Sequence, residues 1–499
     1  MWNQLRLRSR HFWGPATLVT VVFGALVAAG SMYALGQTLL SVSSPAGNPD
    51  RLPITTSSPE AAKLLVEGWH LRYDYRMEQA LGKWREATTK DPNFAQAWAY
   101  IVSEAVDPVE AKQAVEKAKL AAENATPGEK LLVKWLISSN EGRFVDAIAA
   151  MNDLLAMYPR DTQLNFYGGL WLRHHNEYEA AAKFTRRALE VDPNFAGALN
   201  ALAYHLAFMH EYDQAIPYLK RYVELEPNDP NPHDSLGEVL QKAGRLEESL
   251  AAYREALKLD PKFYPSQMGV GNDYALLGKQ DLAREEYAKA LLLAVTPQDR
   301  LDSEMQSAIT YAREGNVKQA RLELATVLAE ATKLQLNVYR SRIHQDLALL
   351  AESPAAAFRE LDEAEAILQG PGQVSGAARS DSLADTLRMR ARLAAESGNF
   401  KMAGVAVARL QKMVQTNFSN VVERAYHGAN GALLAAEKKT GAAIAELQED
   451  PEDPFSLAKL ANLQAASGNA HDAAESRARL QADYGTTLED WLVARKFRS

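Results

Sequence analysis

AAAKFTRRALEVDP (180–193), QAIPYLKRYVELEP (214–227) and ESLAAYREALKLDP (248–261) are three versions of one segment. Each closes on an acidic residue and a proline, and Asp192-Pro193, Glu226-Pro227 and Asp260-Pro261 recur at an interval of 34 residues. A constant interval in this range predicts a stack of two-helix units, each burying its apolar side against the next. Proline ends the second helix of each unit, because it has no N–H and disfavours a helical residue before it.

The glycines keep the same interval. Gly237 and Gly271 lie 34 apart, as do Gly244 and Gly278, and Ala181 precedes Ala215 by the same distance. The first pair falls inside a helical pattern, where glycine costs about 1 kcal/mol against alanine. That cost predicts a close helix crossing. The second pair ends the helix, since glycine takes the left-handed C-cap conformation cheaply. Ala181, Ala215 and Ala283 mark where the second helix crosses the first, and Phe184, Tyr218, Tyr253 and Tyr287 fill the space between hairpins. In these small residues, aromatics and terminal prolines the chain resembles the tetratricopeptide repeat family, whose unit is a 34-residue helix–turn–helix.

Working outward from this template, the array begins near Ala61. AAKLLVEGWHLRYDYRMEQALGKWREATTKDP (61–92) carries Gly68, Ala80, Trp84, Ala87 and Pro92 at the family's places. Looser units follow at 93–127, with Trp98, and at 128–159, with Gly142 and Ala147; the last regular one runs from Tyr264 to Pro297. Beyond Pro297 the terminal prolines disappear, yet Tyr311, Gly315 and Ala320, Gly398 and Ala403, and Gly468 and Ala473 keep the internal spacing. The expectation is an all-α, right-handed superhelical solenoid of about twelve hairpins, regular over 60–297 and degenerate over 298–485. GPGQVSGAA (370–378) is read as a joint, and residues 486–499 as a capping helix with Trp491 on the final hairpin.

Ahead of the array, residues 1–12 carry Arg6, Arg8 and Arg10 and no acid, and no ionisable charge lies between His11 and Asp50. The apolar run Phe12–Leu40 exceeds the roughly 20 residues that a membrane-spanning helix needs. The reading is a cytoplasmic tail (1–12), a transmembrane helix or signal anchor (13–40) and an array on the periplasmic or outer side. The alternative is a signal peptide cleaved near Ala34-Leu35-Gly36, giving a secreted protein. SVSSPAGNPDRLPITTSSP (41–59) has the composition of a flexible linker.

Composition excludes several classes. Of 499 residues 47% are hydrophobic and 24% charged, which is globular, and the net charge of −8 with no basic cluster past the N-terminus argues against nucleic acid. There is no cysteine, hence no thiol catalysis and no cysteine-ligated metal. GNDYALLGK (271–279) has a glycine gap too long for a phosphate loop, and its glycines belong to the repeat. Glu67, His70 and Asp74 share a helical face but suit ordinary packing beside Trp69 and Tyr73. No catalytic residue, metal or cofactor is expected, and the chain is read as a non-enzyme. The one place for a catalytic domain is 299–485. Asn124 and Asn417 begin glycosylation sequons that matter only in a eukaryotic secretory pathway.

The resemblance implies that the first helix of each hairpin lines a concave groove holding peptides or helices. It turns Trp69, Tyr73, Phe166, Arg173, His174, Asn200, Tyr204, Phe208, Asp234, Glu238, Met268 and Asn272 toward that groove. Aromatic and arginine side chains are favoured binding anchors. Some relatives grip a chaperone's C-terminal carboxylate with lysine, arginine and asparagine; the matching places here hold Leu65 and Trp69, which do not fit. The expected function is a membrane-anchored scaffold or adaptor for a cell-envelope complex, with a permanent subunit of a large membrane complex as the alternative.

Overall fold

The computed structural model describes residues 50–497 except 74–75, 106, 142, 175–176, 371–375, 417–418 and 483. The anticipated tail and membrane span, the linker up to residue 49, and the centre of the 370–378 joint lie outside the described residues. So do Asp74, Gly142 and Asn417. Every regular element described is helical, and among the described residues no helix is long and apolar enough to cross a membrane.

Four hairpins come first: α1 (Pro59–Tyr73) with α2 (Met77–Lys90), α3 (Ala95–Glu104) with α4 (Pro108–Ala122), α5 (Pro127–Asn140) with α6 (Phe144–Met157), and α7 (Thr162–His174) with α8 (Tyr178–Val191). The chain then divides into two compact units inside α9 (Ala196–Phe208), between Leu202 and Ala203. The second unit continues with α10 (Tyr212–Leu225), α11 (Pro230–Lys242), α12 (Leu246–Leu259), α13 (Tyr264–Leu276), α14 (Gln280–Leu293), α15 (Pro297–Arg313) and α16 (Val317–Lys333). It ends with α17 (Asn337–Leu349), α18 (Pro354–Gln369), α19 (Gly376–Glu396), α20 (Phe400–Thr416), α21 (Asn420–Ala436), α22 (Thr440–Leu447), α23 (Pro454–Ala466), α24 (Ala470–Gln481) and a short α25 (Leu488–Ala494). The stretch 299–485 is thus helical throughout its regular elements.

The repeat's punctuation works as its chemistry demands. Asp192 and Asp260, each before a proline, are extended (φ −130°, ψ 91° and φ −134°, ψ 101°), which stops α8 and α12. Gly244 and Gly278 sit at φ +72° and +76° in the turns, where the next N–H reaches back to Leu240 O and Tyr274 O at 2.9 Å. His210 and Lys438 take the same left-handed place without being glycine. Helix starts are capped where proline stands first: Thr126 and Glu129 form a capping box around Pro127, and Thr296 and Asp299 one around Pro297.

Inside the hairpins, glycine and the residue sixteen places later form a lock. A Cβ on Gly68, Gly169, Gly237, Gly271 or Gly431 would fall within 3.0 Å of Trp84, Thr185, Tyr253, Tyr287 or Leu447. The close crossing expected at Gly237 and Gly271 is therefore made by an aromatic ring lying on bare backbone. Trp84, 0% exposed, also donates its indole N–H to Leu65 O at 3.2 Å and stacks on Tyr100.

Both ends depart from expectation. Serine, threonine and proline between 50 and 58 suggest a tether, yet these residues are fastened down. Leu52 N–H donates to Asp161 at 2.8 Å, Thr55 N–H to Glu129 at 3.1 Å and Ser57 N–H to Asp91 at 2.8 Å, while Gln96 donates to Pro53 O at 2.6 Å. Carboxylates from distant parts of the unit meet the backbone donors of a segment outside the helices that has few apolar side chains. At the other end, α25 packs on the final hairpin through Val493, with Phe497 beside it, whereas Trp491 lies with the cluster formed by residues 301–350. Helical periodicity explains the split: 488, 491 and 492 share one stripe, and 489, 493 and 497 the next.

Candidate functional site

In the first unit, Trp69 and Tyr73 on α1 are half-buried, with Trp69 edge-on to Tyr100 at 5.9 Å between centroids. Tyr73 meets Phe166 of α7 at 5.0 Å and Phe195 at 4.9 Å, both T-shaped. Phe166 is 2% exposed and Asn200 4%, so both lie within the unit's packing, whereas Arg173 is half-buried and His174 exposed. Curvature of the stack brings the first hairpin against the fourth, closing an aromatic trio that 34-residue periodicity alone does not reveal. Behind it, Arg72 pairs with Glu104 at 3.0 Å, and Tyr167 donates to the same carboxylate at 3.0 Å.

In the second unit the predicted residues are linked from one first helix to the next. Tyr204 on α9 donates to Glu238 on α11 at 2.7 Å. Asp234 on α11 accepts from Ser266 on α13 at 2.6 Å. Met268 on α13 accepts from Ser303 on α15 at 3.4 Å, while Asn272 accepts from Tyr287 on α14, within its own hairpin, at 2.8 Å. Phe208 is half-buried and tilted against Tyr204. The series runs on through residues the sequence reading missed: Tyr339 of α17 donates to Asp302 of α15 at 3.0 Å, and Gln345 of α17 to Thr386 of α19 at 2.8 Å. Tyr204 and Glu238 stand one repeat of 34 apart, whereas Asp302 and Tyr339 stand 37 apart and Gln345 and Thr386 41 apart, off the period that would have announced them.

Burial makes Asp234 and Asp302 reluctant to ionise. It pushes Asp234 up to about 7, with Ser266 opposing and Glu238 adding to the rise, and Asp302 up to about 6. Burial, then Glu238 and Asp234, likewise raise Tyr204 well above its ordinary value. The face can therefore offer carboxyl groups as donors or acceptors near neutral pH.

Stretches that resemble chemical motifs have structural uses. Gly271 carries the Tyr287 ring and Gly278 turns the chain, so both ends of GNDYALLGK serve the repeat. Glu67 is paired with Lys83 at 2.8 Å. Among the described residues, no group of three histidine or acidic side chains could hold a metal ion.

Comparison with known proteins identifies the repeat. The tetratricopeptide repeat family models match residues 140–198 and 230–263, so these stretches are tetratricopeptide repeats. No curated protein matches the chain. Among solved structures it is similar to MamA (41-end) from Desulfovibrio magneticus RS-1, at 20% identity over 34% of this chain and 96% of that one, TM-score 0.31. It is similar to TTC0263, a thermophilic TPR protein in Thermus thermophilus, at 27% identity over 36% and 98%, TM-score 0.31. It is also similar to YrrB, a TPR protein with an unusual peptide-binding site, at 20% identity over 36% and 92%, TM-score 0.28.

Proposed function

We propose that this chain is a scaffold that holds protein partners along the first helices of its hairpins, and that it is anchored in a membrane by its N-terminal apolar run to assemble a cell-envelope complex. The observation that carries the binding reading is the linked row of first helices in the second unit. There Tyr204, Glu238, Asp234, Met268 and Asn272 combine half-buried apolar surface with carboxyl and amide groups. Such a face suits an extended peptide or a helix: apolar contact supplies affinity and the polar groups set register. The membrane part of the proposal rests on the sequence, in which three arginines precede an uncharged run of spanning length.

Crosslinking from single photoreactive residues at 204, 238 and 272 in native membranes, followed by identification of the attached chains, tests both parts. Envelope proteins attached at these positions are the expected result. Attachment of cytoplasmic proteins alone overturns the topology, and no attachment at any of the three positions overturns the binding face.

A further inference from the structure

Several first helices of the second unit already carry a helix, and that helix is the chain's own C-terminal segment. Leu488 is 0% exposed and sits among Leu301, Met305, Ile343 and Leu347 of α15 and α17, with Trp491 and Leu492 beside it. On the adjoining stripe, Val493, 2% exposed, joins Leu447, Leu457, Leu460 and Leu480, and Phe497 packs against that cluster. Glu489, on the same stripe as Val493, stands in a charged cluster with Asp385, Arg388, Arg392 and Asp453. Arg313 fastens the approach by donating to Thr486 O at 2.9 Å.

Three properties mark this helix as an occupant rather than another layer of the stack. Its seven residues are too few for a stable isolated helix, so docking is what orders it. Each hairpin packs on its neighbours in sequence, and a stack of that kind keeps its interfaces when a segment outside the hairpin series departs. Docking also sets the half-buried Glu489 among Asp453, Asp385, Arg388 and Arg392, charges that a hydrophobic cap would not meet.

We propose that the surface under α25 is a helix-docking site on which residues 484–497 are a displaceable resident, and that its external ligand is an amphipathic helix of a partner protein with the same two stripes. One stripe carries apolar side chains at the positions of Leu488, Trp491 and Leu492. The other carries an acidic residue followed by apolar side chains four and eight places later. This deepens the scaffold reading and rests on it: the resident defines the partner's chemistry and keeps the site closed until a competing helix arrives.

A tethered segment competes at an effective concentration in the millimolar range, so a free helix binds the intact chain weakly until the resident is dislodged. The probe is a fluorescent synthetic peptide of residues 484–499, titrated into the full wild-type chain and the full Leu488→Asp chain. The expected result is binding at least about 10-fold tighter to Leu488→Asp than to wild type, with a scrambled peptide binding neither. Equal affinity for the two chains, no binding to either, or equal binding of the scrambled peptide overturns the proposal. Should Leu488→Asp fail to fold, hydrogen exchange on the wild-type chain decides. Amides of 488–494 exchanging well ahead of those in α23 support a displaceable resident, and equal protection overturns it. Photocrosslinks from 204, 238 or 272 that persist when the peptide test fails leave the scaffold reading standing and sink this inference alone.

Discussion

Replacing Gly237 by alanine tests the glycine lock, because two known effects oppose each other and the structure decides between them. In an exposed helix interior the change stabilises by about 1 kcal/mol through backbone entropy. Here the added methyl would lie 2.8 Å from Cδ1 and Cε1 of Tyr253, well inside ordinary contact. The ring has no room to retreat, since a Cβ on Gly269 would meet it as well and it is 3% exposed. Overpacking of this kind costs about 3 kcal/mol where no neighbour can move, so the net loss is about 2 kcal/mol. Gly404→Ala in α20, where a Cβ meets nothing within 4 Å, is the matched control and gains close to 1 kcal/mol. Urea unfolding followed by helical circular dichroism gives the midpoints, and hydrogen exchange in α11 and α12 gives the local free energy. In a Tyr253→Leu background the Gly237→Ala change becomes neutral or stabilising, which isolates the coupling. If Gly237→Ala stabilises the parent as Gly404→Ala does, the lock is not what holds this crossing.

Three other outcomes follow from particular side chains. Burial and then Asp453 push Glu489 up to about 8, against Arg388 and Arg392; burial likewise pushes Asp385 and the neighbouring Asp450 up to about 6. A carboxyl that binds its proton more tightly when docked loses docking free energy as pH rises, so α25 loosens between about pH 4.5 and 8; hydrogen exchange at 488–494 should show this, and Glu489→Gln should flatten the profile. Lys438 is exposed at φ +63°, where a non-glycine residue is strained by about 1 kcal/mol, so Lys438→Gly should raise stability by about 0.5 kcal/mol after the entropy of glycine is counted, visible as a higher urea midpoint. Asp91 accepts from the Thr56 hydroxyl at 2.6 Å as well as from Ser57 N–H, and its removal by Asp91→Ala should expose the 50–58 segment to limited proteolysis while the hairpins stay helical; unchanged cleavage would show that Asp161 and Glu129 suffice.

Local chemistry and long-range closure account for what could and could not be read in advance. The period, the proline stops, the turn glycines and the close crossings all depend on residues within one unit, so a single sequence displays them. The continuation beyond Pro297 was legible from Gly315, Gly398 and Gly468 for the same reason: all three occupy left-handed turns, at φ +84°, +78° and +81°. What was hidden depends on curvature. Phe166 looks like an available groove residue until α1 arrives against it, and the 50–58 segment looks free until Asp91, Glu129 and Asp161 converge on it. Trp491 reaches the cluster of α15 and α17, far earlier in the chain, and no local pattern announces such a contact. Likewise Ser266, Ser303 and Thr386 are ordinary helix-surface residues in sequence, and only the approach of neighbouring first helices makes them links.

The fastened segment at 52–57 has a consequence for how the first unit melts. Hairpins coupled only to their neighbours form a one-dimensional chain that frays from its ends, one interface at a time. Here a single segment is shared by acceptors from the first, third and fourth hairpins, namely Asp91, Glu129 and Asp161. The end cannot fray one unit at a time without giving up contacts to all of them. That arrangement turns a serial structure into a block with one cooperative transition, whose denaturant sensitivity scales with the surface of four hairpins rather than of one.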